Sequence, residues 1–329
     1  MKMEDKVISA KNLKKYFRVA QKSEGFGASV VSLFRREYRE VKAVDGIDFY
    51  IKAGEMVAFL GPNGAGKTTT LKMLSGILHP TSGEVTVLGF NPQKREPVFQ
   101  RQISLVMGQR NQLWWNLPCT DTFLLNKDIY KIPFDQYRSV LDELVALLDI
   151  EEILSTPVRK LSLGQRMKCE LIASLLHQPK VVFLDEPTIG LDIAMQKKIR
   201  TFLKEYNKKH NATIILTSHY MDDVKEVCDR VILINHGRKI YDDQIKKLIS
   251  EYAHEKYLRV DFEDEVAKED LEKIGKIIEF SGFQATIAVP RAEHAKKAAE
   301  LLTMFEVDNI DIQEVELEDI ILKSFAEHV

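Results

Sequence analysis

Met56-Val57-Ala58-Phe59-Leu60-Gly61-Pro62-Asn63-Gly64-Ala65-Gly66-Lys67-Thr68-Thr69-Thr70-Leu71-Lys72-Met73-Leu74 is the stretch whose reading decides the fold. It starts as a short apolar run, turns on three glycines and leaves with helical spacing. Strand, glycine-rich loop and helix, in that order, is the context in which G-x-x-x-x-G-K-[ST] cradles nucleotide phosphates. Gly61, Gly64 and Gly66 carry no side chains, so successive backbone N–H groups can curl around phosphate oxygens, and the helix N-terminus adds its positive dipole. Lys67 is placed to reach the β- and γ-phosphates, and the Thr68 hydroxyl to ligate Mg²⁺. A bare elbow, in which glycines only permit a tight turn, would not need the lysine and threonine that follow.

A second apolar run, Val181-Val182-Phe183-Leu184, ends in Asp185-Glu186-Pro187. Such a strand fits the core of a parallel sheet, delivering its acids at the C-terminal edge where ligands bind. Asp185 is then expected to hold Mg²⁺, directly or through water, and Glu186 to orient and polarise an attacking water as general base. Alone, this pattern reads as a strand ending in solvated carboxylates; paired with the glycine loop, it reads as the second half of a nucleotide site. Just upstream, Leu161-Ser162-Leu163-Gly164-Gln165-Arg166 opens a helix with a small hydroxyl and a glycine, again suited to an anion.

The rest of the chain alternates. Val7-Ile8-Ser9-Ala10 has an edge-strand pattern, and Val44 to Ile51 returns to strand alternation. Between them, from about Val19 to Glu40, lies an insertion that turns basic and aromatic. Its second half has the spacing of a short amphipathic helix with Val30, Val31, Phe34 and Tyr38 on one side. Residues from about Asn91 to Arg159 are mostly helical in pattern, most clearly at Asp135 to Leu148. A helix from about Ala194 to Lys208 and strands at Thr213–Thr217 and Arg230–Ile234 continue the pattern, and the alternation implies an α/β sheet with helices on both faces. After about Ser250 the texture becomes that of a small α+β domain. It has a strand at Tyr257–Phe262, a hairpin from Lys276 to Pro290, a helix from Arg291 to Phe305 and a closing helix from Leu317 to Phe325.

The 329 residues suffice for two or three domains, and 45% hydrophobic with 29% charged residues is ordinary for a soluble globular protein. A formal net charge of -2 points to neither nucleic acid nor an anionic membrane as a whole-chain partner. Cys119, Cys169 and Cys228 are widely spaced and odd in number, which argues against a disulfide framework or zinc site and for a reducing cytosol. No apolar run approaches the roughly 20 residues of a membrane-spanning helix. Any membrane span is therefore expected on another polypeptide.

The ordered motifs resemble those of the ATP-binding subunit of an ABC transporter, over about Lys6 to Lys246. The family signature is commonly Leu-Ser-Gly-Gly-Gln; here Leu163 replaces its first glycine, while Ser162, Gly164 and Gln165 stay in place. The resemblance implies a P-loop α/β cassette at 1–248, with a mainly parallel core sheet, an antiparallel β subdomain, a helical subdomain at about 91–160 and the insertion at about 19–40. A small α+β accessory domain follows at 249–329. The resemblance places ATP against Phe17 (Tyr16 being the alternative), against Gly61, Pro62, Asn63, Gly64, Ala65, Gly66, Lys67, Thr68 and Thr69, and against Ser162, Gly164, Gln165 and Asp192. Glu186, His219, Lys67 and Gln109 are the implied catalytic residues, and Thr68, Gln109 and Asp185 the implied Mg²⁺ ligands. Gln112 lies close enough to Gln109 to leave the register of the glutamine loop open.

Family resemblance further implies that two cassettes, expected to be identical, close head to tail over two ATP molecules and drive a separate integral-membrane permease from the cytoplasmic face of a bacterial membrane. The likeness runs to drug and antibiotic exporters. A polysaccharide exporter, or a soluble ABC ATPase that moves no substrate, is the alternative; no nucleic acid partner is expected.

Overall fold

The computed structural model describes residues 6–20, 38–108, 111–252 and 254–326, in two units, Met1–Asp243 and Gln244–Val329. In the first unit β1 (Lys6–Ala20) and β2 (Tyr38–Lys52) run antiparallel. β3 (Met56–Leu60) leads through the glycine loop into α1 (Lys67–Leu74), and β4 (Ser82–Val87) returns antiparallel against β1. The order β2-β1-β4 makes β1 the central strand of three, not the edge strand its sequence suggests. Alternation reports that one face of a sheet meets solvent, and it is blind to how many neighbours a strand has. Val30, Val31 and Phe34 of the expected amphipathic helix lie outside the described residues, and Tyr38 is the first residue of β2.

α2 (Pro97–Gln100), β5 (Ile103–Met107), α3 (Cys119–Tyr130) and α4 (Phe134–Leu148) follow. The segment expected to be mostly helical thus contains a strand. Ile103-Ser104-Leu105-Val106-Met107 is too short a run for a stable helix, and it pairs in parallel register with the strand that carries Asp185. α4 buries Tyr137, Val140, Leu144, Val145 and Leu148, the one-sided stripe its sequence announces. The chain continues through α5 (Leu163–Leu175), β6 (Val181–Asp185), α6 (Ile193–His210), β7 (Thr213–Thr217), α7 (Met221–Val227), β8 (Arg230–Asn235) and β9 (Arg238–Gln244).

Six strands form the main sheet in the order β5-β6-β7-β3-β8-β9, with β5, β6, β7, β3 and β8 parallel. Because β6, β7 and β3 are neighbours and parallel, the loops that leave them open side by side on one edge. The core joins Ile8, Leu13, Ile47 and Ile51 of the antiparallel sheet to Phe59, Ile215 and Ile232 of the main sheet and to Leu71 and Met73 of α1. Phe49 and Phe59 meet with ring centroids 5.7 Å apart. Each such side chain contributes about 1.5–3 kcal/mol by leaving water, which fixes α1 and its loop against the sheet. All three cysteines are buried free thiols, with Cys119 and Cys169 in contact.

The second unit comprises α8 (Ile245–Tyr252), β10 (Glu255–Phe262), α9 (Lys268–Leu271), β11 (Lys276–Phe280), β12 (Gln284–Pro290), α10 (His294–Met304), β13 (Val307–Glu314) and α11 (Leu317–Ala326). Its antiparallel sheet has the order β11-β12-β10-β13 around a core of Leu258, Val260, Ile287, Val289 and Leu301.

Candidate active site

The glycine loop is shaped by close approaches that only glycine permits. A Cβ on Gly61 would sit 2.3 Å from the Ile234 carbonyl oxygen, and one on Gly66 would sit 2.3 Å from that of Ala43. Gly66 also has φ +106°, in the left-handed region, and it is the residue from which α1 starts. No side chain caps α1, so its first-turn N–H groups face the loop without a side-chain acceptor. Lys67 is buried, and its ammonium donates to the carbonyls of Gly61 at 2.6 Å and Pro62 at 3.2 Å. Burial lowers its pKa, while the carboxylates of Glu186 and Asp185 act in the opposite sense. Pro62, Asn63 and Gly64 form the exposed tip; Ala65 is buried, and Thr68 and Thr69 are half-buried.

Asp185 stands where β6 ends. Its Oδ2 accepts from the Thr68 hydroxyl at 2.7 Å and its Oδ1 from the Thr217 hydroxyl at 2.7 Å, which joins the start of α1 and the ends of β6 and β7 at one carboxylate. The Glu186 amide donates to the backbone carbonyl and the side-chain oxygen of Thr217, both at 3.1 Å. Glu186 itself has φ +55°, an unusual conformation for a side-chain-bearing residue and one that re-aims the chain after the strand. Gly108 donates to the Asp185 carbonyl at 2.9 Å, and a Cβ there would lie 2.1 Å from the Glu186 carbonyl oxygen. His219 Nε2 is 3.0 Å from Glu186 Oε1.

The structure therefore brings together Lys67, Thr68, Asp185, Glu186 and His219. It adds Thr217, whose positioning role the sequence does not reveal: a threonine closing a strand is ordinary β composition.

The other expected residues fall elsewhere. Ser162 caps α5, its Oγ accepting from the Gln165 amide at 3.2 Å while the Gln165 side chain accepts from the Ser162 amide at 2.9 Å. Gly164 packs on Met195, and Leu163 lies against Gly190. Asp192 caps α6 by accepting from the Met195 amide at 2.8 Å. The signature turn and the loop before α6 are thus one packed cluster.

Phe17 is exposed, with the Lys15 ammonium 5.2 Å from its ring centre, whereas the Tyr16 hydroxyl donates to Asp45. That bond engages Tyr16 within the sheet and leaves Phe17 the freer ring for stacking. Gln109 lies outside the described residues. Gln112 turns its side chain back to donate to the Leu105 carbonyl at 2.9 Å.

A family model described as ABC transporter matches residues 44–189, and one described as EvrA-like ABC transporter, C-terminal domain, matches residues 254–313. The chain is 31% identical over 215 residues to the ABC transporter ATP-binding protein NatA of Bacillus subtilis, covering 65% of this chain and 87% of that protein. The chain belongs to the ABC transporter ATP-binding proteins. It is also 32% identical over 231 residues to the bacitracin transport ATP-binding protein BcrA of Bacillus licheniformis, covering 69% of this chain and 72% of the relative. Among solved structures it is similar to cbiO1 of Clostridium perfringens, described as part of the ABC transporter complex cbiONQ, with TM-score 0.61 and 30% identity over 75% of this chain and 92% of that one.

This ABC ATP-binding subunit is an ATPase of the P-loop α/β class. Its donor set suits a nucleotide with a hard cation: a hydroxyl and a carboxylate held 2.7 Å apart are oxygen ligands, and the uncapped N-terminus of α1 is an anion site. Among the described residues no helix is long and apolar enough to cross a membrane.

Proposed function

We propose that this subunit hydrolyses ATP at a composite site made by Lys67, Thr68, Asp185, Glu186 and His219 of one copy and Ser162, Gly164 and Gln165 of a second. Phe17 stacks on the adenine, and Asp192 contributes from the loop that crosses between the copies. Turnover drives a separate permease that exports a drug, antibiotic or other amphiphile from the cytoplasmic face of a bacterial membrane. We read 1–248 as the cassette and 249–329 as an accessory module.

What carries this reading is the carboxylate of Asp185, joined at 2.7 Å to Thr68 on one side and to Thr217 on the other, with the Glu186–His219 pair beside it. Thr68 and Asp185 are the groups to hold Mg²⁺, which when bound neutralises charge on the phosphates. Glu186, turned out of β6 by its left-handed backbone, accepts the proton of the attacking water, and His219 holds that carboxylate in place. Lys67 exchanges the Gly61 and Pro62 carbonyls for phosphate oxygens, a charge-assisted contact stronger than the one it gives up.

Docking of a permease is supported by the exposed apolar side chains that recur along the helical segment, Trp114, Trp115, Leu124, Ile129 and Phe134. An antibiotic as cargo is supported by the likeness to a bacitracin transport protein.

The test is a mild-detergent pull-down of the tagged chain from native membranes with mass spectrometry of what accompanies it. Stoichiometric recovery of a multi-span membrane protein is the expected result. Recovery only from the soluble fraction, with ribosomes or DNA-associated proteins, would move the ATPase into the non-transport class.

A further inference from the structure

Behind the Glu186–His219 pair, the carboxylate of Asp223 gathers partners from three segments. Its Oδ1 accepts from Arg200 Nη1 of α6 at 3.1 Å. Its Oδ2 accepts from the Ser218 hydroxyl at 2.7 Å and from the Thr188 hydroxyl. Asp223 is only 1% exposed, and Thr188, Arg200 and Ser218 are buried with it. Taking a carboxylate out of water is unfavourable unless its lone pairs are met. Here two of the three donors come from the segments that carry the proposed chemistry, since Ser218 precedes His219 and Thr188 follows Glu186 by two residues.

We propose that Asp223 is a positioning residue for ATP hydrolysis. It ties the segment bearing Glu186 to the segment bearing His219, so that their 3.0 Å contact is kept in register. It also gives a displacement of His219 a mechanical route through Ser218, Asp223 and Thr188 into the loop ending at Asp192. That loop is compact enough to move as a unit, because the Ile189 amide donates to Glu186 O at 3.3 Å and the Leu191 amide to Thr188 O at 3.2 Å. A carboxylate present only to neutralise Arg200 would not need the two hydroxyls, and Glu226 already stands 3.2 Å from that guanidinium. The proposal rests on the roles given above to Glu186 and His219.

The test compares Asp223→Asn, Thr188→Val, Thr188→Ser and Glu186→Gln in the full chain, reading kcat, KM, affinity for a fluorescent ATP analogue and thermal midpoint. Asp223→Asn and Thr188→Val are expected to lower kcat at least about tenfold with KM and affinity within about twofold, because only the geometry of the reacting groups is disturbed. Thr188→Ser, which keeps the hydroxyl, is expected to retain kcat. Should Asp223→Asn fail to fold, Thr188→Val carries the test, since it keeps the side-chain shape and leaves Arg200 paired. A folded Thr188→Val with parental kcat overturns the proposal, as does a loss shared equally by Thr188→Ser. The Glu186→Gln control separates the two levels. If it turns over normally, the catalytic reading itself is wrong; if it is inert while Thr188→Val is normal, only the positioning role falls.

Discussion

Two helices of the first unit, α1 and α5, begin where a phosphate is expected, and they begin differently. α1 starts from Gly66, a residue with no side chain, in a left-handed conformation, and no side chain accepts from its first turn. α5 starts from Ser162, and Ser162 and Gln165 cap each other reciprocally. Every helix leaves its first N–H groups without intrahelical partners. In α5 the chain meets part of that demand itself; in α1 it leaves the demand to a ligand and buries Lys67 beside it. One half of the proposed composite site is therefore built around an anion, while the other half is stable alone. The Ser162 hydroxyl accepts in the cap and keeps its proton to donate, so α5 can meet a phosphate without unwinding its own start.

The contrast is broken most directly by adding one methyl group at each helix start. Gly66→Ala places a Cβ 2.3 Å from the Ala43 carbonyl at φ +106°, and backbone cannot retreat as a side chain can. We expect ATP affinity to fall at least about tenfold and stability by 2 kcal/mol or more, on the order of a left-handed penalty plus overpacking. Gly164→Ala meets Cε and Cγ of Met195 at 2.9 and 3.0 Å, atoms of an adaptable side chain rather than of backbone, with no positive φ. Its cost is expected to stay below about 1 kcal/mol. Nucleotide titration and thermal melts of the two variants test this, and equal losses would abolish the distinction.

Farther along α5 a buried acid sharpens the comparison. Glu170 is 3% exposed, and burial raises its pKa to about 7, opposed by Arg166 3.9 Å away and by the Gln112 amide that donates to it. Since the folded pKa lies above the ordinary 4.5, the folded state holds the proton more tightly. The associated stability is complete below about pH 4.5 and is lost as pH rises through about 7. The loss is on the order of 3 kcal/mol, and Glu170→Gln is expected to remove it. Melts of both proteins at about pH 5 and about pH 8 should converge at the acidic end and separate at the basic end, with the glutamine variant the more stable. A parallel pair of curves would mean that Glu170 is solvated in solution.

What the sequence reveals and what it hides follow the same division. The loop at Gly61, the acids after Leu184 and the helix that opens at Ser162 are local: each is a short run whose chemistry depends on its immediate neighbours, and each lies where the reading puts it. The α/β alternation is legible for the same reason, through buried runs such as Val181–Asp185 and the stripe of α4. β5 is hidden because five residues, four of them apolar, inside a helical region have no period long enough to be recognised. The roles of Thr217, Thr188 and Asp223 are hidden because each depends on a partner at least 31 residues away, brought close only by the sheet order. Nothing in Met221-Asp222-Asp223 separates the buried aspartate from its neighbour, and the first turn of a helix is an ordinary place for both.

The smallest effect tests the idea that α5 is complete without its ligand. Ser162→Ala removes the acceptor for the Gln165 amide, while the backbone N–H of residue 162 can still donate to the Gln165 side chain. Loss of such a cap costs about 1 kcal/mol, a few degrees in a thermal melt. ATP affinity of the subunit below its dimerising concentration should not change, because Lys67, Thr68 and the start of α1 are untouched. Turnover at high protein concentration should fall, because there the hydroxyl is asked to face the nucleotide of a second copy. A drop in affinity at low concentration would place Ser162 at the nucleotide of its own chain, and the two helix starts would then serve one site within one subunit.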